Sequence, residues 1–413
     1  MKYRKLLPIL LTSSSLFLSY EAHCESFTTN QLVEMAIRNS SLTKSYELEA
    51  KAKDKLSDQA GAWDNPTFEF GTENKKESGG ETRSMRYGLS QTIYMPGKFS
   101  AKEKIFKSEA EISKLEAASV ELRLKGLVLN LIYEFKASKE KMNHAQERLE
   151  RFKTVQGFIQ SRVFAAPQKK AEASIVTGKL IVLQKELFHI QGKTENIWNE
   201  LNSYLKLNSI PEIQLDWFKK GPSLNRQEVS NLLIANNLEL KKQDAKLAQS
   251  KNEVDLASLE SWPGLTVSGS YSDGSGFSPE KIYGLGVSLP LPVFNSNRSV
   301  RSASELRSKA AVERLNFLKE QTLKELNSAF LNFELAKKSV VGLPVKKIEE
   351  LEKAITETDK GFKRGQVDLL TYLEADSQHF ESLSAILEAQ LDLIRSISDL
   401  QTLTGSSQLV LEN

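Results

Sequence analysis

Side chains able to do chemistry are sparse along this chain, and they do not assemble into a reactive set. The four histidines, His23, His144, His189 and His379, are scattered, with no pair at zinc-ligand spacing. The single cysteine, Cys24, excludes a disulfide framework and any cysteine-built zinc site. There is no Gly-x-x-x-x-Gly-Lys-Ser/Thr phosphate loop and no Gly-x-Ser-x-Gly nucleophile elbow. Asp and Glu are plentiful, but on regular helical faces they read as solvated charge or as i,i+4 partners of lysine. An enzyme is not expected, nor is a cofactor or a resident metal. Function has to come from what the secondary-structure elements build.

The chain has 413 residues, 26% charged and 40% hydrophobic. That is too charged for a helical multi-pass membrane protein and too apolar for general disorder. Lys+Arg 56 against Asp+Glu 53 is nearly balanced, so nucleic acid is not an expected partner. At the N-terminus, Lys2, Arg4 and Lys5 precede an apolar stretch from Leu6 to Leu18 that is too short to span a bilayer. This is the layout of a secretory signal over residues 1–24, and the protein is expected to be exported. Ala22 and Cys24 place small residues at the −3 and −1 positions of a cut before Glu25. The rival reading makes Cys24 a lipidated first residue, although Glu21 and His23 stand where that signal has small residues. No later stretch approaches the length of an apolar spanning helix.

An internal repeat organises the rest, at an offset of about 197 residues. Trp63-Asp64-Asn65-Pro66 answers Ser261-Trp262-Pro263-Gly264, and Tyr87-Gly88-Leu89-Ser90 answers Tyr283-Gly284-Leu285-Gly286. Met95-Pro96 answers Leu291-Pro292, and Phe164-Ala165-Ala166-Pro167-Gln168 answers Phe362-Lys363-Arg364-Gly365-Gln366. The expected layout is a first unit over 25–208, a breaker-rich linker over 209–226, a second unit over 227–406 and a tail over 407–413. Each unit reads as helix, two strands, then a long helical pair. Thr28 with Gln31 offers a capping box for a helix running to about Gly61, and its counterpart starts near Gln227. After each hairpin a long helix begins, from about Phe99 and about Asn297. Ile105, Ile112, Ser119 and Gly126 form one heptad track, and Leu115, Leu122 and Leu129 another. Leu383, Leu387, Leu391 and Ile394 stripe the last return helix. Rods of about 55–60 residues each way are expected, roughly 80–90 Å long.

The strands alternate with period two. Met85, Tyr87, Leu89, Gln91 and Ile93 oppose Arg86, Gly88, Ser90 and Thr92. Tyr283, Leu285, Val287 and Leu289 oppose Gly284, Gly286 and Ser288, while Phe68 and Phe70 alternate with Thr67 and Glu69. Hairpin tips are expected at Glu77-Ser78-Gly79-Gly80 and at Asp273-Gly274-Ser275-Gly276. Strands of about 8–11 residues are long enough to cross a bilayer tilted. Four strands cannot close a barrel, and an open edge in lipid strands unpaired backbone groups. Either the hairpins are soluble, or three copies share a twelve-stranded barrel. The fold class expected is mainly α with a small membrane β part, a homotrimer with twelve helical rods as a hollow barrel.

Here the chain resembles the TolC-type outer-membrane efflux family, over nearly all of residues 27–406. Leu89 to Lys98 looks like the strand-to-helix turn of its heavy-metal-cation (CzcC-like) branch, with Phe99 where that branch often has Arg. Val287-Ser288-Leu289-Pro290-Leu291-Pro292-Val293-Phe294-Asn295-Ser296-Asn297-Arg298 resembles the second-repeat turn of the same branch. Gly361 to Leu370 resembles the family's glycine-containing break, which Ala165-Ala166-Pro167 in the first unit lacks.

The resemblance implies a passive trimeric conduit in the outer membrane of a Gram-negative bacterium, with a periplasmic α-barrel. A periplasmic adaptor and an inner-membrane pump are the implied partners, beside outer-membrane lipid. Tyr87, Leu89, Tyr283, Leu285 and Val287 are the expected lipid-facing residues; a one-residue slip would turn them into the lumen. Val341-Gly342-Leu343-Pro344 is the expected reversal of the second helical pair and adaptor-contacting tip, and by the repeat offset the first reversal falls near Met142–Gln146. Just beyond the tip, Glu349 and Glu352 are candidate acidic rings of a pore gate, or else solvated rod surface. The cargo readings are metal cations, organic drugs, or protein in type I secretion. The competing class is an exported coiled-coil scaffold or adaptor with soluble hairpins.

Overall fold

The computed structural model describes residues 26–161, 167–294 and 296–406. The signal segment, Cys24 and the tail over 407–413 lie outside the described residues. In chain order the elements are β1 (Ser26–Thr28), α1 (Thr29–Asn39), α2 (Ser41–Ala60), β2 (Thr67–Glu77) and β3 (Gly80–Ile93). Next come α3 (Lys98–Gln160), α4 (Pro167–Leu205), β4 (Glu212–Gln214), α5 (Arg226–Asn236) and α6 (Leu238–Leu259). They end with β5 (Leu265–Gly276), β6 (Lys281–Ser288), α7 (Arg298–Gly342), α8 (Lys346–Lys363) and α9 (Leu369–Thr404).

The capping box forms: Thr28 Oγ1 accepts from the Gln31 N–H, and Gln31 Oε1 accepts from the Thr28 N–H. The helix it starts does not run to Gly61, however. Ser40 leaves helical geometry and its hydroxyl caps α2 by accepting from the Thr43 N–H at 3.2 Å. The second unit repeats the joint at Asn237, whose side chain caps α6 through the Leu240 N–H at 2.7 Å. Asn39 donates to the Leu205 carbonyl at 2.7 Å and Asn237 to the Leu403 carbonyl at 2.6 Å. Each joint thus caps a helix and satisfies the end of a return helix, through Ser40 and Asn39 in the first unit and through Asn237 alone in the second.

The rods differ from expectation in length and in where they turn. α3 has 63 residues, about 95 Å at 1.5 Å per residue. The return helices have only 39 and 36 residues, because α2 and α6 occupy the remaining length beside α3. Met142–Gln146 lies inside α3 and reverses nothing; the first reversal falls between Gln160 and Pro167. Val341–Pro344 is likewise no reversal. α7 and α8 both pack along α9, so the break is a bend within one rod. Proline removes a helical hydrogen bond and clashes with the preceding turn, which bends a helix without turning it back. The second reversal lies at Arg364–Asp368, where Gly365 adopts φ 77° and the Gln366 N–H reaches back to the Gly361 carbonyl at 2.9 Å. That is a Schellman closure.

Across the rods the order is α2–α3–α6–α7 near the strands, and α4–α3–α9–α7/α8 farther away. Ile112, Gly126 and Leu129 are buried, with Leu115 and Leu122 half-buried. Two main apolar cores result, one around Val128, Ile132, Leu201, Phe333 and Leu393, the other around Phe152, Ile159, Leu183 and Tyr372.

A strap over 206–225, most of which falls in the linker expected over 209–226, is tied across the middle of the rods. β1 and β4 pair in parallel, and Lys136 donates to the Leu215 carbonyl at 2.7 Å. The side-chain amide of Gln390 clamps Phe218 like a strand partner, accepting from its N–H and donating to its carbonyl, both at 3.0 Å. Gln390→Ala leaves both backbone groups buried without partners, a loss of about 2–4 kcal/mol locally. Tryptic cleavage after Lys219 and Lys220 should accelerate at least about tenfold in that variant; limited proteolysis followed by mass spectrometry measures it.

Candidate functional site

The strands form one antiparallel sheet in the order β2-β3-β5-β6. Directly opposed residues share a face, so the register sorts the side chains. One row is Phe70, Tyr87, Tyr271 and Tyr283; the next is Phe68, Leu89, Gly269 and Leu285; the third brings Gln91 to Val267 and Val287. All five residues expected to face lipid therefore lie on one apolar face. Leu285 is 97% exposed, Tyr283 79% and Val287 70%, with nothing of this chain covering them. The opposite face carries Ser84, Arg86, Gly88, Ser90, Ser268, Ser270, Gly284 and Gly286, with Glu69 and Glu73. Arg86 and Glu73 lie 3.5 Å apart there.

The aromatic row is continuous: centroids are 5.3 Å apart for Phe70–Tyr87, 6.5 Å for Tyr87–Tyr271 and 5.1 Å for Tyr271–Tyr283. About 20 Å away along the strands, a second aromatic group of Trp63, Tyr94, Phe99 and Trp262 marks the junction with the rods. The Trp63 and Phe99 rings meet at a tilt, centroids 5.6 Å apart, and Tyr94 donates to Asp64 at 2.6 Å. The apolar band of this face thus lies between two aromatic groups. The second hairpin tip is shifted from its expected place. β5 continues through Gly276, and the tip comprises 277–280, because β5 stays paired with β3 as far as Thr82↔Gly276.

Near the helix reversals the rods hold a polar cluster. Arg148 on α3 donates from Nε to Asp376 on α9 at 2.5 Å and from Nη1 to Glu186 on α4 at 3.1 Å. Asp376 is fully buried, and Arg151 comes within 3.5 Å of its other oxygen. His379, one turn on, is buried beside them, and burial followed by the charge of Arg151 pushes its pKa down to about 4. His144 stacks edge-on to His379 at 6.3 Å and faces Glu352 of α8 at 3.5 Å. Glu349 lines an adjoining cavity of about 860 Å³ with Glu140, Trp217 and Pro344. Neither glutamate sits at a reversal: Glu352 is about three turns before Arg364, against α3.

Sequence reasoning missed Arg148, Asp376 and His379. The signal was present as spacing. On α9, Leu369, Tyr372, Asp376, His379, Leu383 and Ile386 keep the alternating three- and four-residue steps of a heptad core. A charge at such a position is buried. Among the described residues no group of His, Cys, Asp and Glu is arranged to hold a metal ion, and no helix is long and apolar enough to cross a membrane.

Residues 229–406 match the family model described as outer membrane efflux protein. The pyoverdine export outer membrane protein OpmQ of Pseudomonas aeruginosa is 25% identical over 296 residues, 68% of this chain and 60% of that protein. The chain thus spans about 60% of the length of that curated relative. The outer-membrane channel OprN superposes with a TM-score of 0.75 at 16% identity, covering 92% of this chain and 90% of OprN. VceC from Vibrio cholerae gives a TM-score of 0.72 at 15% identity, covering 92% and 96%. At these identities the likeness to solved structures establishes the fold.

Breaking the cluster from one side strands a charge. Asp376→Leu should lose about 3–5 kcal/mol, and Arg148→Met/Asp376→Leu should lose markedly less; thermal unfolding of detergent-solubilised protein distinguishes them. Because the folded His379 pKa lies below the unfolded value near 6.5, the unfolded state takes up the extra proton. Stability from this group is complete above pH about 6.5 and is lost as pH falls toward 4. His379→Gln should flatten the melting temperature across that window.

Proposed function

We propose that this chain, whose residues 229–406 match the family model described as outer membrane efflux protein, supplies one third of a passive outer-membrane efflux conduit. The observation that carries the reading is that sheet and rods are open on the same two sides. In the sheet the free edges are β2 and β6. In the rods they are α2 and α4 on one side, α7 and α8 on the other. Both rod edges carry uncovered apolar residues: Ile181 and Phe188 on α4, Phe317 and Leu331 on α7. Two different edges meeting head to tail close a ring when the rotation permits. Three copies give twelve strands, with backbone groups paired throughout and the Tyr and Leu face turned to lipid.

The polar strand face then lines the exit. Its small hydroxyls and glycines, with Glu69 and Glu73 partly offset by Arg86, give little basis for selecting a cargo. A periplasmic adaptor and an inner-membrane pump fit this reading as the partners that choose the substrate and drive its transport. Metal cations are the favoured cargo, supported by the local likeness of Val287–Arg298 to the cation-efflux branch. A pyoverdine-type cargo is the second reading, supported by the relative named for its export. The family and the fold are those of channels, not enzymes.

Detergent-solubilised protein should have the mass of three protomers by light scattering, and should resist carbonate extraction from membranes. Leu285→Arg should cost about 2–4 kcal/mol and block assembly, whereas Ser268→Lys on the opposite face should assemble normally. A water-soluble monomer, or equal tolerance of both substitutions, would overturn the conduit. Loss of metal-cation resistance on gene deletion, without loss of pyoverdine export, supports the first cargo; the reverse supports the second.

A further inference from the structure

We infer that the uncovered stripe of α7 seats on α2 and α4 of a second copy of this chain at equal height, with Leu335 entering a hollow of α4. The inference deepens the proposed ring and rests on it. α7 is apolar on two sides. Its inner side buries Ala311, Leu315, Leu326 and Phe333 against its own chain. At about 100° per residue, Leu306, Phe317, Leu331 and Leu335 fall on one stripe opposite, where they are 54–67% exposed. A helix that is apolar on its outer side as well has a second partner. On the other edge of the chain, Leu48, Ala52 and Leu56 follow at four-residue steps on the side of α2 away from buried Thr43, Ala50 and Ser57. On α4, Phe188, Gly192 and Asn196 line a hollow of about 450 Å³ on the side away from buried Leu183 and Leu201. A Cβ at Gly192 would meet nothing of this chain within 4 Å beyond its own helix backbone.

Copies arranged about an axis parallel to the rods meet at equal heights, whereas an axial shift at each contact winds into an open spiral. The heights follow from contacts between neighbouring rods. Lys114 on α3 reaches Asp54 on α2 at 3.2 Å, and Ser138 on α3 bonds Thr194 on α4 at 2.7 Å. Gln249 on α6 reaches Glu109 on α3 at 3.3 Å, and Asn297, capping α7, reaches the Ala257 carbonyl of α6 at 3.2 Å. Counted from these ties at 1.5 Å per residue, Leu306 stands within about one turn of Leu56, Ala310 of Ala52 and Phe317 of Leu48. Ala310 and Ala52 are both exposed, and two small residues between larger pairs let the rods approach closely. Leu335 stands level with Thr194, at the middle of the hollow. The heights thus agree at four places over roughly 45 Å of rod. A second copy must match in this way, and a partner of another sequence need not.

Within one chain the two edges lie three rod spacings apart, about 25–30 Å, so a short link between them joins separate copies. With a short bismaleimide, Gly192→Cys/Leu335→Cys should give dimers and trimers on a denaturing gel. Neither single variant should do so, nor should Ile181→Cys/Leu335→Cys, which is offset by about 20 Å along the rods. Gly192→Trp fills the hollow without disturbing the packing of its own chain, and should cut the trimer-to-monomer ratio at least about tenfold by light scattering. Gly157→Trp on α3, an inner rod with equal room at that position, should leave the ratio unchanged. If the wild type is trimeric and the matched pair fails to link, or the offset pair links as well, the seam is overturned while the conduit stands. A trimer left intact by Gly192→Trp overturns the seat of Leu335. A monomeric wild type overturns seam and conduit together.

Discussion

Backbone hydrogen bonding governs this architecture. A four-stranded sheet satisfies its interior strands and leaves β2 and β6 with a row of unpaired N–H and C=O groups. In water such edges are tolerable, but the same sheet carries Leu285, Tyr283 and Val287 on an uncovered face. An apolar face favours lipid, and lipid forbids open edges. The two demands are met together only if the edges pair with other copies, and the rods below must follow the same rotation. The open sides of the helical layers coincide with those of the sheet because each strand continues directly into the rod beneath it.

The rods obey a different constraint. Helices this long are held by narrow stripes, and each buried position that is not apolar must be satisfied by a neighbour. At the middle, Gln390 does this for the backbone of Phe218, locking the strap to the rod. Lower down, Arg148 and Asp376 do it for each other, drawing Glu186 and Arg151 into the same cluster. The polar cluster ties α3, α4 and α9 together at one level, while α8 touches it only through His144 and Glu352.

Strand faces were legible because period two leaves no ambiguity once a turn is placed: Tyr87, Leu89, Tyr283, Leu285 and Val287 fall on one side in the register observed. The repeat was legible because Trp63-Asp64-Asn65-Pro66 and Trp262-Pro263 stand just ahead of β2 and β5, while Tyr87-Gly88-Leu89 and Tyr283-Gly284-Leu285 lie within β3 and β6. Breaks inside helical stretches were not. Ser40 and Asn237 lie within runs that helices tolerate, and become joints only because return helices end beside them. Val-Gly-Leu-Pro carries the strongest breakers in its region, yet α9 runs past it and holds the rod straight enough to continue. The reversal belongs instead to Gly365, inside the glycine-containing break at Gly361–Leu370 that the family resemblance marked without identifying it as the reversal. The error at Val341 carried Met142–Gln146 and the placement of Glu349 and Glu352 with it.

The two units are equivalent at their joints and strands but not in their rods. α3 runs unbroken for 63 residues, whereas its counterpart divides into α7 and α8 at Pro344. Three copies of a perfectly duplicated chain would approximate sixfold symmetry, with every rod equally stiff. With this chain the proposed ring alternates continuous and divided rods, so bending is confined to three places. A continuous helix resists because bending stretches its hydrogen bonds along the outer side, while a proline break has already given one up. The divergence of the second unit therefore concentrates compliance at the level of the strap.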